Sequence, residues 1–310
     1  MSSLQYPPVL QFGDTIGVIS PASPQRDEQR LHAGIQYLLQ QGFSVTLGKY
    51  ALARYGGYLA GTDEERAADI MAMFCDPAID AIFCARGGYG TPRLLSLLEY
   101  DIIAENPKIF VGFSDTTALQ CALFTYAGLV TFSGAMPSVD MVEFEPWSEK
   151  VFWQALMSPE TLGDLQQPTP IQPLVAGQAR GRLMGGNLSM LAGLCGTPFA
   201  PDWKDCILVC EDVGEEPYRV DRMLAQLKNA GVFDMIAGIA FGQFTDSSQR
   251  PTSVPQRTIE EICAEYAHET QKPAIMNLQY GHTSQKWTLP LGVIAEIDGT
   301  NGTVKITNEL

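Results

Sequence analysis

Residue types that could carry an acyl transfer stand at the ends of apolar runs in this chain: a serine, a histidine and a pair of acids. In VGFSDTTALQ (111–120) the pattern of a buried strand runs into Ser114 and a helical pattern starts at once, with Gly112 two positions earlier. That is the layout of a nucleophile elbow, a sharp strand-to-helix turn that lifts a hydroxyl into solvent. The first N–H groups of the new helix face whatever sits over the serine, so the N–H of Asp115 could stabilise an oxyanion. Thr116 stands where a G-x-S-x-G motif has its second glycine. A serine ahead of a helix also serves as an N-cap, and that reading stays open here.

A serine hydroxyl is a weak nucleophile and needs a base, most often a histidine. The chain has three. His32 lies one position off the apolar stripe of a helix and His268 on the polar side of another, so both are expected at the surface. His282 follows PAIMNLQY (273–280) and a glycine, at the carboxyl end of an expected strand, where a rigid element can position a loop side chain. The competing reading is a loop histidine bonded to backbone. The base in turn needs a carboxylate to fix its tautomer. CILVCED (206–212) ends in Glu211 and Asp212. The strand either re-enters solvent there or presents a carboxylate, and strand alternation lets only one of the two acids face His282. Finally, ARGGYGTPR (85–93) is a Gly-rich loop between a strand and a short helix. Glycines allow close backbone approach to a ligand and their N–H groups can line an anion pocket, which makes Gly88 a second candidate oxyanion donor. A tight turn with no further role is the alternative.

The elements that must position these residues can be read from periodicity. TIGVIS (15–20), FSVTLG (43–48), AIFCARGG (81–88), KIFVGF (108–113) and LVTFSG (129–134) read as strands, alternating with helices. One helix spans 27–41 with Leu31, Ile35 and Leu38 inward and Gly42 as its stop. Thr62 and Glu65 form a capping box, Thr91 caps a short helix with Pro92 in its first turn, and the helix after Ser114 buries Leu119, Ala122, Leu123 and Tyr126. This β-α-β order predicts a mainly parallel sheet with right-handed crossovers, whose carboxyl edge would carry both Ser114 and the Gly-rich loop. Residues 158–178 are rich in Pro, Gln and Thr. The expected organisation is a nucleophile domain over 1–160, a linker over 161–178, and a second α/β domain over 179–310 carrying the acid and the histidine. In that second domain GRLMGGN leads into a helix, CILVC is a strand, and 217–229 is a helix with Val220, Met223, Leu224 and Leu227 inward. IAGIAFGQF, PAIMNLQY, GVIAEID and TVKIT are further strands. The site would then lie between the domains, a usual place for a small-substrate pocket.

Composition narrows the function classes. The chain has 310 residues, 45% hydrophobic and 18% charged, a globular balance. With 20 basic against 35 acidic residues its formal charge is −15, which argues against nucleic acid as a partner. A bound carboxylate would need local Arg, Lys or backbone N–H groups. Seven scattered cysteines with no C-x-x-C pair suggest neither a disulfide framework nor a zinc site, and fit a reducing compartment. MSSLQYPPVLQ lacks a basic start and an apolar core, and no apolar run approaches membrane-spanning length, so no export signal and no membrane association are expected.

Several segments together resemble the LD-carboxypeptidase (muramoyltetrapeptide carboxypeptidase) family, which includes the microcin C immunity peptidases. They are ARGGYG (85–90), GFSDTTALQ (112–120), TFSGAM (131–136), GRLMGGNLSML (181–191), VCEDVGEEPYRVDRML (209–224) and YGHT with TLPLG (280–292), in the family's order and through nearly the whole chain. The resemblance implies a Ser-Glu-His triad at Ser114, Glu211 and His282, which selects Glu211 over Asp212. It also implies an oxyanion hole from the backbone of Gly88 and Asp115. The implied fold is an N-terminal domain like the class I glutamine amidotransferases with a C-terminal swivelling β/α domain. The implied activity is cytoplasmic removal of the terminal D-alanine from recycled murein tetrapeptides, by a homodimer without cofactor or metal. Arg86, Tyr89, Arg93 and Arg222 are the residues whose type and position suit binding of the peptide and its free carboxylate. Two other readings are kept. One is an immunity-type peptidase acting on a nucleotide-linked peptide, which aromatic residues at the site would favour. The other is a non-catalytic binder of cell-wall peptides, which the intact Ser114, Glu211 and His282 argue against. An amidotransferase-like activity is weaker still, because that chemistry wants a cysteine where Ser114 stands.

Overall fold

The computed structural model describes residues 4–247 and 256–307. Its strands, in chain order, are β1 (Thr15–Ile19), β2 (Ser44–Leu47), β3 (Ala81–Cys84), β4 (Ile109–Gly112), β5 (Thr131–Ser133), β6 (Gln172–Val175), β7 (Gln178–Asn187), β8 (Cys206–Val213), β9 (Gly238–Thr245), β10 (Ala274–Met276), β11 (Leu289–Leu291), β12 (Ile294–Asp298) and β13 (Thr303–Ile306). They form two sheets, in the orders β11-β5-β4-β3-β1-β2 and β13-β12-β7-β8-β9-β10-β6. The chain divides accordingly. One unit runs to Pro159 and takes in Trp287–Gly292; the other is Glu160–Lys286 with the residues from Val293 onward.

In the first unit β1 to β5 pair in parallel and β11 closes the sheet antiparallel to β5. Every residue of β3 and β4 is buried, as expected of parallel strands covered on both faces, and this is why they read as unbroken apolar runs. The helices form where the sequence signals them. Glu28–Gln40 is capped by Asp27, with Leu31 and Leu38 buried, and Asp63–Cys75 opens on the reciprocal Thr62–Glu65 capping box. Thr91 differs from expectation. The turn Thr91–Arg93 is a 3-10 turn whose N-cap is Gly90, and the Thr91 hydroxyl goes elsewhere.

In the second unit β7, β8, β9 and β10 are parallel, while β6, β12 and β13 pair antiparallel at the two edges. The stretch over 161–178 is more than a linker, because it contains β6. Pro173 is tolerated there because β6 is an edge strand, which has free N–H positions to lose. The segment GRLMGGN lies in the ten-residue strand β7 before the chain turns helical. Helix Pro217–Asn229 forms as the apolar period predicts, with Val220, Leu224 and Leu227 buried. Among the described residues no helix is long and apolar enough to cross a membrane, and no group of three or more His, Cys, Asp or Glu residues could hold a metal ion.

Candidate active site

Ser114 follows β4 after the single residue Phe113. Its φ is +66°, in the left-handed region that a residue with a Cβ occupies at a cost of about 1 kcal/mol or more. The chain therefore makes a strained turn at this serine before the 3-10 turn Ser114–Thr116 and the helix Thr117–Ala122. The N-cap reading does not hold, since the turn starts after Phe113 and has no side-chain cap. The Ser114 side chain is half-buried and Asp115 beside it is buried. Beyond Ala122 the helix widens into a π turn, Leu123–Ala127, which leaves Tyr126 39% exposed against Tyr100 rather than in the core.

The Gly-rich loop packs against this turn within the same unit. A Cβ on Gly87 would stand 3.0 Å from the carbonyl oxygen of Phe113 and 3.1 Å from the Ser114 Cβ, so any larger residue would push the loop and the turn apart by a few tenths of an ångström. Behind the loop lies Arg66, wholly buried. It donates from Nη1 to the carbonyls of Pro21 (2.5 Å) and Gly90 (3.0 Å), and from Nη2 to Asp63 (2.5 Å). Burial lowers its pKa and the Asp63 carboxylate opposes that shift. Arg66→Met should leave the buried Pro21 carbonyl without a donor and the Gly90 carbonyl with only the Arg93 N–H (3.3 Å), at about 1–3 kcal/mol in all, while Asp63 keeps Arg93 as partner. That loss should appear in the urea unfolding of this unit; a change below about 0.5 kcal/mol would contradict the role.

In the second unit, β8 carries both acids. They do not re-enter solvent: Glu211 is 0% and Asp212 4% exposed. His282 Nδ1 lies 2.7 Å from Glu211 Oε2. Burial raises the Glu211 pKa, while the hydrogen bonds from His282 and Asn187 pull it back down. With its Nδ1–H given to the carboxylate, His282 would carry its lone pair on Nε2, the nitrogen a base would use. His282 also sits farther from a strand than its sequence suggests. β10 stops at Met276, and Asn277 has φ +62°. The histidine loop is instead strapped to β9, by the Gln243 N–H to the Tyr280 carbonyl (2.8 Å) and by the Thr245 hydroxyl to the carbonyl of His282 (3.4 Å). His32 and His268 are exposed, as their helix positions predict.

One residue near the acids escapes the sequence patterns. Asn187 Nδ2 donates to Asp212 Oδ1 (3.0 Å) and reaches Glu211 Oε1 at 3.3 Å. Its own Oδ1 caps the helix Leu188–Leu194 at the Met190 N–H, which fixes the amide's orientation. Asp212 Oδ2 also accepts from the N–H and the hydroxyl of Ser189. Thus Glu211 has one oxygen on the histidine and the other on an oriented amide, and Asp212 anchors that amide. The one signal for it in the sequence is an Asn directly before a helical run.

The four side chains suggested for peptide binding are variously engaged. Arg86 is half-buried and donates to the carbonyl of Pro24 (2.9 Å). Arg93 makes a two-pronged ion pair with Asp63 (2.7–3.1 Å), a structural bond like many surface arginines. Tyr89 is 48% exposed and packs on Tyr58. Arg222 is exposed on its helix, over the ring of Tyr218.

Comparison with known proteins covers nearly the whole chain. The sequence models described as the LD-carboxypeptidase N-terminal domain and C-terminal domain match residues 16–134 and 180–297. A probable murein peptide carboxypeptidase of Bacillus subtilis is 39% identical over 309 residues, covering 98% of this chain and 95% of the relative. Among solved structures, a muramoyltetrapeptide carboxypeptidase from Oxalobacter formigenes superposes with TM-score 0.83 at 31% identity, over 95% of this chain and 99% of that one. The microcin immunity protein MccF in complex with glutamyl sulfamoyl guanosine superposes with TM-score 0.90 at 28% identity, over 98% of each chain.

Proposed function

The chain belongs to the LD-carboxypeptidase family, and from that premise we propose that it is a serine carboxypeptidase that releases the terminal D-alanine of murein tetrapeptides, with Ser114 as nucleophile, His282 as base and Glu211 as the carboxylate that orients it. The observation that carries the reading is the His282–Glu211 pair, 2.7 Å apart on a carboxylate with no exposed surface.

In this mechanism His282 takes the hydroxyl proton as Ser114 Oγ attacks the carbonyl of the last peptide bond. The N–H groups of Gly88 and Asp115 hold the oxyanion. The intermediate collapses as His282 protonates the leaving amino group, and water then cleaves the acyl-enzyme by the reverse path. Glu211 stays ionised and stabilises the imidazolium. Arg86, Tyr89 and Arg222 remain the proposed contacts to the peptide. A cytoplasmic homodimer acting without cofactor or metal belongs to the same proposal, and family membership supports it.

The likeness to MccF supports a second reading, in which the peptide carries a nucleotide. The tryptophans weigh against it. Trp203 and Trp287 are 4% exposed, Trp147 packs on Trp287, and Trp153 lies among Phe43, Tyr37 and Phe152, so their rings are engaged within the protein. Incubation with purified murein tetrapeptide should release D-alanine and leave the tripeptide, read by mass spectrometry. Hydrolysis of a glutamyl sulfamoyl nucleoside without tetrapeptide cleavage would reverse the order of the two readings. Turnover of neither, with tight tetrapeptide binding, would instead mark a binding protein.

A further inference from the structure

The Asp115 carboxylate plays no part in the chemistry described above, yet it is 2% exposed and no Lys or Arg forms an ion pair with it among the described residues. A buried acid costs stability unless its oxygens are satisfied. Here both are satisfied by the Gly-rich loop: Oδ1 accepts from the Gly90 N–H (3.1 Å) and Oδ2 from the Thr91 N–H (2.9 Å). The Thr91 hydroxyl returns a bond to the Asp115 carbonyl (2.5 Å). The Tyr89 N–H is held separately by the Ser23 hydroxyl (3.0 Å). Of the four consecutive loop N–H groups at 88–91, three are therefore committed. That of Gly88, an exposed residue, makes no hydrogen bond among the described residues.

The residue that bears one proposed oxyanion donor thus grips the loop that bears the other. We propose that Asp115 is a positioning residue, whose carboxylate sets the spacing between its own N–H and that of Gly88 by clamping the N–H groups of Gly90 and Thr91. This rests on the Ser114 reading given above. Donors that are already in place spend no reorganisation when charge develops on the substrate oxygen, and misplacing one costs about 10²–10³ in rate.

Asp115→Asn tests the clamp. The amide keeps the shape but turns an NH₂ toward one of the two N–H groups. The expected result is a fall in kcat of about 10²-fold with KM within about threefold of wild type. A peptide boronate that forms a tetrahedral adduct on the serine should weaken by a similar factor, while the product tripeptide binds as before. A kcat within about threefold of wild type would overturn the proposal. So would equal losses in boronate and tripeptide affinity, which indicate general damage rather than loss of oxyanion geometry. If Asp115→Asn fails to fold, Thr91→Val replaces it, since it removes only the return bond. About tenfold losses in kcat and boronate affinity, with tripeptide affinity unchanged, are then expected, and no loss would overturn the clamp. Ser114→Ala assayed alongside separates the two ideas. An active Ser114→Ala protein would sink the nucleophile assignment itself, whereas an inactive one beside a fully active Asp115→Asn protein would sink only the clamp.

Discussion

Ser114→Ala should lower kcat for release of D-alanine from a murein tetrapeptide by about 10⁴–10⁶-fold, the range for loss of a serine nucleophile from a triad. The structure gives reason to expect that this loss is chemical. The cost of φ +66° arises from having a Cβ, and alanine keeps the Cβ. The hydroxyl caps no N–H of its turn, so removing it strands no backbone group. The unfolding midpoint should therefore stay close to wild type while turnover disappears, and tetrapeptide affinity should persist. Retention of more than about a tenth of wild-type kcat would rule Ser114 out as the nucleophile.

Glu211→Gln should cost about 10⁴-fold in kcat, as expected when the triad carboxylate becomes an amide and the histidine loses its correct tautomer. The geometry makes the conflict unavoidable. Both Glu211 oxygens face donors, His282 Nδ1 on one side and Asn187 Nδ2 on the other. Asn187 cannot flip to accommodate the change, because its oxygen caps a helix. Glutamine has a single oxygen for two donors, so its NH₂ must meet either the asparagine amide or the imidazole. Facing the imidazole, it turns Nδ1 into an acceptor and moves the proton to Nε2, where the base should be. Nitrogen NMR of ¹⁵N-histidine-labelled protein reads this directly: Nδ1 protonated in wild type, Nε2 in the variant. A variant with kcat within about tenfold of wild type would remove Glu211 from the triad.

Much of this site is legible in the amino-acid sequence, for identifiable reasons. Ser114 announces itself because β4 is buried on both faces and reads as an apolar run stopping dead at the serine. Glu211 and His282 stand out by type and by their place after apolar segments, but choosing Glu211 over Asp212 needs the family's motif. Only Glu211 pairs with the histidine, yet both acids touch Asn187, and the β8–β9 register shifts between Cys210 and Asp212, which a period of two does not foretell. The ten-residue strand β7 is hidden in the sequence because its glycines depress strand propensity. In the fold they are required: Gly185 has φ +142°, and a Cβ there would sit 1.8 Å from the Val209 carbonyl of the neighbouring strand. The strand before His282 is shorter than its sequence suggests, since IMNLQY is apolar enough to continue but Asn277 adopts left-handed backbone and ends it. The sequence brings the Gly-rich loop and the Ser114 turn to one sheet edge, but the hydrogen bonds of the Asp115 carboxylate to that loop leave no trace in it, because they depend on the detailed course of two turns.

The edge strand β11 carries a consequence for how the protein is made. Its partner β5, at residues 131–133, leaves the ribosome before Glu160–Lys286 of the other unit, and Leu289–Leu291 only after it. Until then the nascent first unit presents the backbone edge of β5 unpaired, and Trp287 and Leu289, buried in the finished unit, have not yet joined it. Vectorial synthesis therefore cannot finish the first unit before Glu160–Lys286 of the other unit has emerged. Until then its open edge is exposed to other chains and to chaperones, and a stop codon anywhere ahead of Leu291 leaves that edge open for good.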